Sequence, residues 1–138
     1  MSDIVNKIKE INGLDHLEGC STAQVEEAED ALGLKFPAEY VDYVREYGAI
    51  SFYGTEWTGL NVDGYLNTVE ATKEERALNP SFPEGFFVLE NLRVDASFAI
   101  VNEQGQVFLS RFDDKELFCE SISEYLDDCI QRRERVEG

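Results

Sequence analysis

The sequence predicts an α+β fold, in which helices pack against a mainly antiparallel, twisted sheet within a single domain spanning residues 1–138. Helical apolar spacing comes first, extended apolar runs occupy the middle, and one further helix closes the chain. This order lacks the strand–helix alternation of a doubly wound parallel sheet. Hydrophobic residues make up 43% of the chain and aromatic residues 12%, which is enough to build a core. The length of 138 residues is within the usual range for one domain.

Three helices are predicted before the first strand. The first covers about 2–12, where apolar residues recur at spacings of three and four. Ser21 and Gln24 have the spacing of a capping box, in which each side chain bonds the backbone of the other, and they predict the start of the second helix. Pro37 suits the opening of the third helix, because its missing N–H costs nothing there, and Gly48 ends that helix.

Extended segments begin after Gly48, and one more helix interrupts them. The predicted strands cover 50–53, 57–62, 86–89, 97–101 and 106–110, and the intervening helix covers 67–78. Asn102–Gly105 lies between the last two strands and suits a hairpin turn, so an antiparallel meander is expected. Ser121 and Glu124 have capping-box spacing and predict the start of the closing helix. Three arginines near its end are expected to complement the helix dipole: Arg132, Arg133 and Arg135.

The charge balance limits the classes of partner. The chain has 29 acidic and 12 basic residues, a formal net charge of -17. Such a chain repels phosphate backbones and anionic membrane surfaces, so neither nucleic acid nor a membrane is expected as a direct partner. A basic protein is the natural complement, and its encounter with the chain would be accelerated by electrostatic steering. The alternative is that the charge serves solubility alone.

The sequence predicts a cytoplasmic protein. No apolar run approaches the roughly 20 residues that span a bilayer, and the first residues lack the basic-then-apolar pattern of a signal peptide. The three cysteines, Cys20, Cys119 and Cys129, form neither an even disulfide set nor a C-x-x-C pair. This usage suits a reducing compartment.

No recognisable catalytic or metal motif occurs, so the chain is not expected to be an enzyme or to hold a cofactor or metal. His16 is the only histidine, and Cys119 and Cys129 are nine positions apart, without the close ligand pairs of structural zinc sites. Glycine-rich phosphate-binding motifs are lacking. The pairs Glu74–Glu75 and Asp113–Asp114 leave open a divalent cation or carboxylate catalysis. A solvated face is the favoured interpretation, because 29 carboxylates produce adjacent pairs by chance.

Aromatic and acidic residues alternate in the glycine-rich region after residue 50. Trp and Tyr are enriched at the energetic centres of protein interfaces, which makes this region the candidate binding surface. Trp57 is more simply explained as a core residue. The predicted partner-binding residues are Tyr53, Glu56, Asp63, Tyr65, Glu74 and Glu75.

The order of these signals resembles a known family. Residues 25–44 read VEEAEDALGLKFPAEYVDYV and are followed by Tyr47 and Gly48. This pattern is similar to the SUKH superfamily, the group that includes the yeast cell-wall regulator Smi/Knr. Its members typically show an acidic helix, Leu-Gly, Leu-Pro and an aromatic helix ending near Asn-Gly. Here Phe36 replaces the usual leucine and Tyr47 the usual asparagine. The resemblance covers about 22–130, and its motifs are mostly structural.

The resemblance implies both a fold and a function. Bacterial members of the superfamily commonly act as immunity proteins that neutralise a toxin, often a nuclease, made by the same cell or a sibling. The acidic charge agrees, because an acidic protein can cover the basic cleft of a nuclease by stoichiometric occlusion. The rival hypothesis is a non-enzymatic regulatory scaffold like the yeast relatives, which bind signalling proteins. A bacterial source is expected for so short a stand-alone chain, and the oligomeric state is left open.

Overall fold

The computed structural model describes residues 3–94, 96–111 and 113–137, with side chains as far as residue 132. Within these residues the chain forms helices and strands in a mixed order. The helices are α1 (Ile4–Lys9), α2 (Thr22–Leu32), α3 (Ala38–Tyr47), a 3₁₀ helix (Gly64–Leu66), α4 (Thr68–Leu78) and α5 (Ile122–Glu137). The strands are β1 (Asp15–His16), β2 (Ile50–Phe52), β3 (Thr55–Trp57), β4 (Phe86–Asn91), β5 (Ser97–Asn102), β6 (Val107–Arg111) and β7 (Asp114–Cys119).

The strands form two antiparallel sheets, and the predicted α+β class is confirmed. The smaller sheet has the order β1-β2-β3, and the larger is a meander of order β4-β5-β6-β7. The two sheets meet just after β3, where the Thr58 N–H donates to the Leu89 carbonyl at 2.8 Å. The predicted hairpin at Asn102–Gly105 joins β5 to β6, and Gly105 there has a φ of +88°.

Three strand predictions need correction. The strand expected over 57–62 is β3, which ends at Trp57, and the chain after it leaves the sheet. The two-residue strand β1 and the six-residue strand β7 were not predicted. Most of β7 is exposed, because it is the outer strand of its sheet. An exposed edge strand lacks the apolar alternation by which a sequence reveals strands.

The helix caps explain where α2 and α5 begin. Ser21 Oγ accepts from the Gln24 N–H at 3.1 Å while Gln24 Oε1 accepts from the Ser21 N–H at 2.8 Å, which confirms the first capping box. At α5, Ser121 Oγ accepts from the Glu124 N–H at 3.1 Å as predicted. The Glu124 carboxylate, however, accepts from the Glu120 N–H, one residue earlier than in a capping box.

The arginines at the end of α5 were expected to act on the helix dipole. Arg132 instead forms an ion pair with the buried Glu90 of β4, at 3.0 Å. The side chains of Arg133 and Arg135 lie outside the described residues.

The main core lies between the helices and the inner face of the larger sheet, and aromatic residues fill its centre. Trp57 is completely buried, as predicted, and its ring stacks on Tyr125 of α5 with centroids 6.0 Å apart. It also meets the ring of Tyr43 of α3 at a right angle, with centroids 5.5 Å apart. Aromatic pairs in these geometries stabilise the fold by more than the burial of their apolar area alone. Trp57 therefore links β3 to α3 and α5.

A buried network of hydroxyl groups fixes α4 against the sheets. Thr58 Oγ1 donates to the Val88 carbonyl of β4 at 2.8 Å, and the Tyr43 hydroxyl donates to the Thr58 carbonyl at 2.8 Å. Tyr40 bonds the hydroxyl of Thr68, the first residue of α4. Burial raises the pKa of both tyrosine phenols, so they stay protonated as donors. The network determines where the outward face of α4 lies.

A candidate protein-binding groove

A groove runs between α4 and the outer face of the larger sheet, and we call it the α4 groove. Its volume is about 270 Å³. Val88 and Thr58 are its most deeply buried lining residues, and Phe98 of β5 adds an aromatic wall. Four of the six predicted partner-binding residues line it: Glu56, Tyr65, Glu74 and Glu75.

Tyr65 is held at the groove by the start of α4. Asn67 Oδ1 accepts from the Glu70 N–H at 3.0 Å and so caps α4, while its Nδ2 donates to the Val62 carbonyl at 2.8 Å. Glu70 in turn accepts from the Gly64 N–H at 2.8 Å. These bonds fix the 3₁₀ helix that contains Tyr65. Gly64 has a φ of +83°, a conformation that glycine adopts without steric cost.

Three charged or aromatic side chains converge at one end of the groove, and we call them the Glu56 cluster. Arg93 Nη2 lies 2.6 Å from Glu56 Oε1, and the Tyr65 hydroxyl donates to Glu56 Oε2 at 3.0 Å. The Arg93 guanidinium lies 5.5 Å from the centre of the Tyr65 ring. Strand alternation in β3 buries Trp57 and turns Glu56 to the opposite face. Tyr65 is 63% exposed and therefore available to a partner.

The other wall of the groove is a carboxylate pair on α4. Glu74 and Glu75 stand beside Leu78, an apolar side chain that is 73% exposed. Burial, with a smaller contribution from the charge of Glu74, raises the pKa of Glu75 above its ordinary value, while a bond with Asn79 lowers it. A cation bound nearby would offset the repulsion between the Glu74 and Glu75 carboxylates and so lower the pKa of Glu75.

An apolar strip continues from the groove across the outer face of the larger sheet. Phe86, Val88 and Ile100 are buried on this face, and Phe98 and Phe108 are partly covered. A second depression continues from Leu78 and Phe98 to Asp113. The surface beside the groove therefore joins apolar side chains to carboxylates.

The sequence matches a known family over nearly its whole length. A family model described as "SUKH_5: SMI1-KNR4 cell-wall" matches residues 1–131. The chain belongs to the SUKH superfamily. The match extends the region of resemblance, expected at about 22–130, through α1. No curated protein is similar enough to match this SUKH chain. Among the described residues, no helix has both the length and the apolar character needed to cross a membrane.

Two of the predicted residues lie outside the groove of this SUKH domain. Tyr53 is at the turn between β2 and β3, where its hydroxyl donates to the Asn12 carbonyl and its ring covers Gly13. It lines a separate cavity of about 340 Å³ beside α1 and α5. Asp63 is exposed just before the 3₁₀ helix, and its side chain does not cap that helix. The structure therefore separates Tyr53 from the other aromatic candidate, Tyr65.

The groove-lining residues that sequence reasoning missed include Leu78, Arg93 and Phe98. Nothing in the sequence marks Leu78 or Arg93 as part of a binding surface, because single leucines on helices and arginines in loops are common in all proteins. Phe98 could have been found, because Phe98 and Ile100 alternate on one face of β5. The second face of the predicted meander therefore had to be apolar as well.

Two titratable groups outside the groove, Glu90 and Cys129, are buried in the core. Glu90 is buried and accepts from the Tyr125 hydroxyl at 2.6 Å and from Arg132 at 3.0 Å. Burial raises the pKa of the Cys129 thiol to about 12, so it is an unreactive core residue. His16 is exposed in β1. Within the described part of the chain, no three His, Cys, Asp or Glu side chains form a group suited to a metal ion.

Proposed function

We propose that this SUKH protein is an immunity protein that binds a basic toxin domain, a nuclease being the best fit, and neutralises it by stoichiometric occlusion. The observation that carries the proposal is the α4 groove. There the carboxylates of Glu56, Glu74 and Glu75 line one groove together with the rings of Tyr65 and Phe98. Membership of the SUKH superfamily supports it, because the resemblance implies immunity function for bacterial members.

The groove has the physical features of an interface with a basic protein. A net charge of -17 steers a cationic partner toward the protein, which raises association rates by roughly 10- to 10³-fold. Once the partner docks, exposed apolar side chains such as Tyr65 and Leu78 supply the surface that is removed from water. The carboxylates would then pair with the lysines and arginines that a nuclease uses to hold phosphates. A toxin covered in this way cannot bind its nucleic acid.

This function needs no catalysis by the SUKH protein itself, and we propose that it is not an enzyme. A cytoplasmic location fits, because the protein must meet the toxin where the nucleic acid is. The second candidate is a regulatory scaffold that binds signalling proteins. The words "cell-wall" in the description of the matching family favour that candidate. Both candidates use a protein-binding surface, and they differ in the partner.

The test is co-purification from source-cell lysate with the tagged protein, using elution by a salt gradient. We expect a basic partner that elutes late in the gradient and has nuclease activity, and we expect equimolar SUKH protein to suppress that activity. Recovery of signalling or cell-envelope proteins alone would favour the scaffold. Failure to recover any stoichiometric partner would count against both candidates.

Charge-reversal variants locate the binding surface. Glu74→Lys combined with Glu75→Lys should abolish inhibition by placing cations in the groove. The matched control is Glu26→Lys with Glu27→Lys, because these exposed residues of α2 give the same change in net charge. Equal losses in both pairs would show that net charge, rather than the α4 groove, determines binding.

A further inference from the structure

The Arg93 guanidinium is a positive charge of the protein itself at one end of the acidic α4 groove. We propose that Glu56 and Tyr65 form a subsite for a guanidinium group, that Arg93 occupies this subsite in the free protein, and that an arginine of the partner displaces it. The subsite is argued from the geometry of the Glu56 cluster. Its use by a partner rests on the proposed function.

The geometry supplies both elements of guanidinium recognition. Glu56 Oε1 accepts from the guanidinium at 2.6 Å, and the Tyr65 ring lies 5.5 Å from its central carbon. The Tyr65 hydroxyl holds the second carboxylate oxygen at 3.0 Å, which fixes the carboxylate relative to the ring. A planar guanidinium can stack on a ring while donating in its own plane, whereas an ammonium group has neither the flat face nor the fixed fork of donors. The subsite therefore favours arginine over lysine.

The Arg93 side chain can be displaced from the subsite at low cost. Its side chain is 62% exposed and that of Glu56 is 31% exposed, so their ion pair is screened by water. Exposed ion pairs and exposed cation–π contacts are each weak. The side chain can rotate away without opening the core, because its contact with the Glu56 cluster lies at the surface.

The loop that presents Arg93 has an unusual backbone. Arg93 and Ala96 have φ values of +59° and +54°, which non-glycine residues adopt at a cost. The loop is held by the Arg93 N–H bonded to Asn91 Oδ1 at 2.8 Å and by the Leu92 N–H bonded to the Ser97 carbonyl at 3.0 Å. These bonds fix the backbone independently of the Arg93 side chain. Arg93 is thereby kept next to the subsite even when its side chain has moved out.

An internal occupant changes which partners can bind. The apparent affinity of the subsite for an external cation equals its intrinsic affinity multiplied by the fraction of time that the subsite is empty. A bystander protein that offers one isolated arginine competes poorly with Arg93. A partner that also fills the apolar strip and pairs with Glu74 and Glu75 can displace it. Arg93 thus acts as a selectivity element in the groove.

The experiment titrates the ¹⁵N-labelled protein with the peptide amide Gly-Arg-Gly at low salt and follows the amide signals of Glu56 and Tyr65. We compare wild type with Arg93→Ala and Arg93→Lys. We expect Arg93→Ala to bind the peptide roughly five- to tenfold more tightly than wild type, and Arg93→Lys to be intermediate. Gly-Lys-Gly amide should bind Arg93→Ala more weakly than the arginine peptide does.

The control for net charge is Lys35→Ala, since Lys35 is 80% exposed and forms only a 3.7 Å ion pair with Glu29. It should match wild type. A further variant, Arg93→Ala with Tyr65→Leu, should lose the gained affinity. Unchanged affinity in Arg93→Ala, an equal gain in Lys35→Ala, or signal changes away from Glu56 and Tyr65 would each overturn the proposal.

This titration uses no toxin, so it separates the subsite from the proposed function. If the peptide results are as expected and the lysate yields no basic partner, the subsite stands and the immunity function fails. If a toxin binds and Arg93→Ala gains no peptide affinity, the immunity function stands and the displacement proposal fails.

Discussion

Replacing Glu90 tests how the closing helix is attached to the sheet. Glu90 is only 4% exposed, and it accepts from the Tyr125 hydroxyl at 2.6 Å and from Arg132 Nη2 at 3.0 Å. It follows a bulge in the pairing of β4 with β5, and its partner in the register is the buried Ala99. The bulge turns a carboxylate toward the core, where, within the part of the chain that the structure describes, it bonds these two α5 side chains and makes a longer contact with the Cys129 thiol.

The expected magnitude follows from what each substitution leaves unpaired. Glu90→Leu deprives the buried Tyr125 hydroxyl of its acceptor, which costs about 1–3 kcal/mol, and leaves Arg132 with its longer ion pair to Asp128, at 3.9 Å. Removing one partner of a fully buried ion pair costs about 3–5 kcal/mol, but Arg132 is 32% exposed and keeps some water. We therefore expect a total of about 3 kcal/mol. Glu90→Gln keeps an acceptor for Tyr125 and should cost about half as much.

The assay is urea denaturation monitored by two probes, circular dichroism and the fluorescence of Trp57, which stacks on Tyr125. Glu116→Gln, at an exposed position of β7, is the matched control and should change the free energy of unfolding by less than about 0.5 kcal/mol. If Glu90→Leu does not fold, a double-mutant cycle of Glu90→Gln and Arg132→Met measures the coupling. The reasoning is refuted if Glu90→Leu costs no more than Glu90→Gln, or if the cycle shows no coupling.

Four further variants test predictions about stability. Glu75→Gln should raise the free energy of unfolding at pH 7 by less than about 0.5 kcal/mol. A carboxyl group whose pKa is raised on folding stabilises the fold below its ordinary pKa of 4.5, and this contribution is lost as pH rises through the raised pKa. The Glu75→Gln variant lacks this group, so it should lose less stability than wild type between pH 4 and 7 in urea titrations. Thr58→Val should cost about 1–2 kcal/mol in the same assay, because the Val88 carbonyl loses its 2.8 Å donor, and a neutral result would contradict the hydroxyl network. Gly33→Ala should cost about 1 kcal/mol, because its φ of +68° is unfavourable for alanine. The cost should not be larger, because the added Cβ would meet no other atom within 4 Å. Gly48→Ala should cost at least about 3 kcal/mol, since its Cβ would lie 2.2 Å from the Glu18 carbonyl oxygen, and similar thermal midpoints for the two variants would contradict this.

Part of the groove could be predicted because its signals are local. Tyr65 and Glu56 are an aromatic and an acidic residue in a glycine-rich segment, and Glu74 and Glu75 follow on a helix that the spacing predicts. Tyr53 has the same local signature as Tyr65, yet it contacts Asn12, 41 residues earlier in the chain. Composition cannot distinguish two such tyrosines, because the difference lies in which distant segment each one meets.

The sequence by itself determined the α+β class, the capping box of α2, the hairpin between β5 and β6, the burial of Trp57 and the acidic net charge. Each of these depends on periodicity, on composition or on bonds between near neighbours. Only the tertiary structure decided that Arg93 meets Glu56 across 37 residues, and that a bulge buries Glu90 beside α5. Those contacts depend on how strands pair and which segments the core brings together. The free energy that fixes them comes from burying the whole chain, so no single segment of the sequence encodes it.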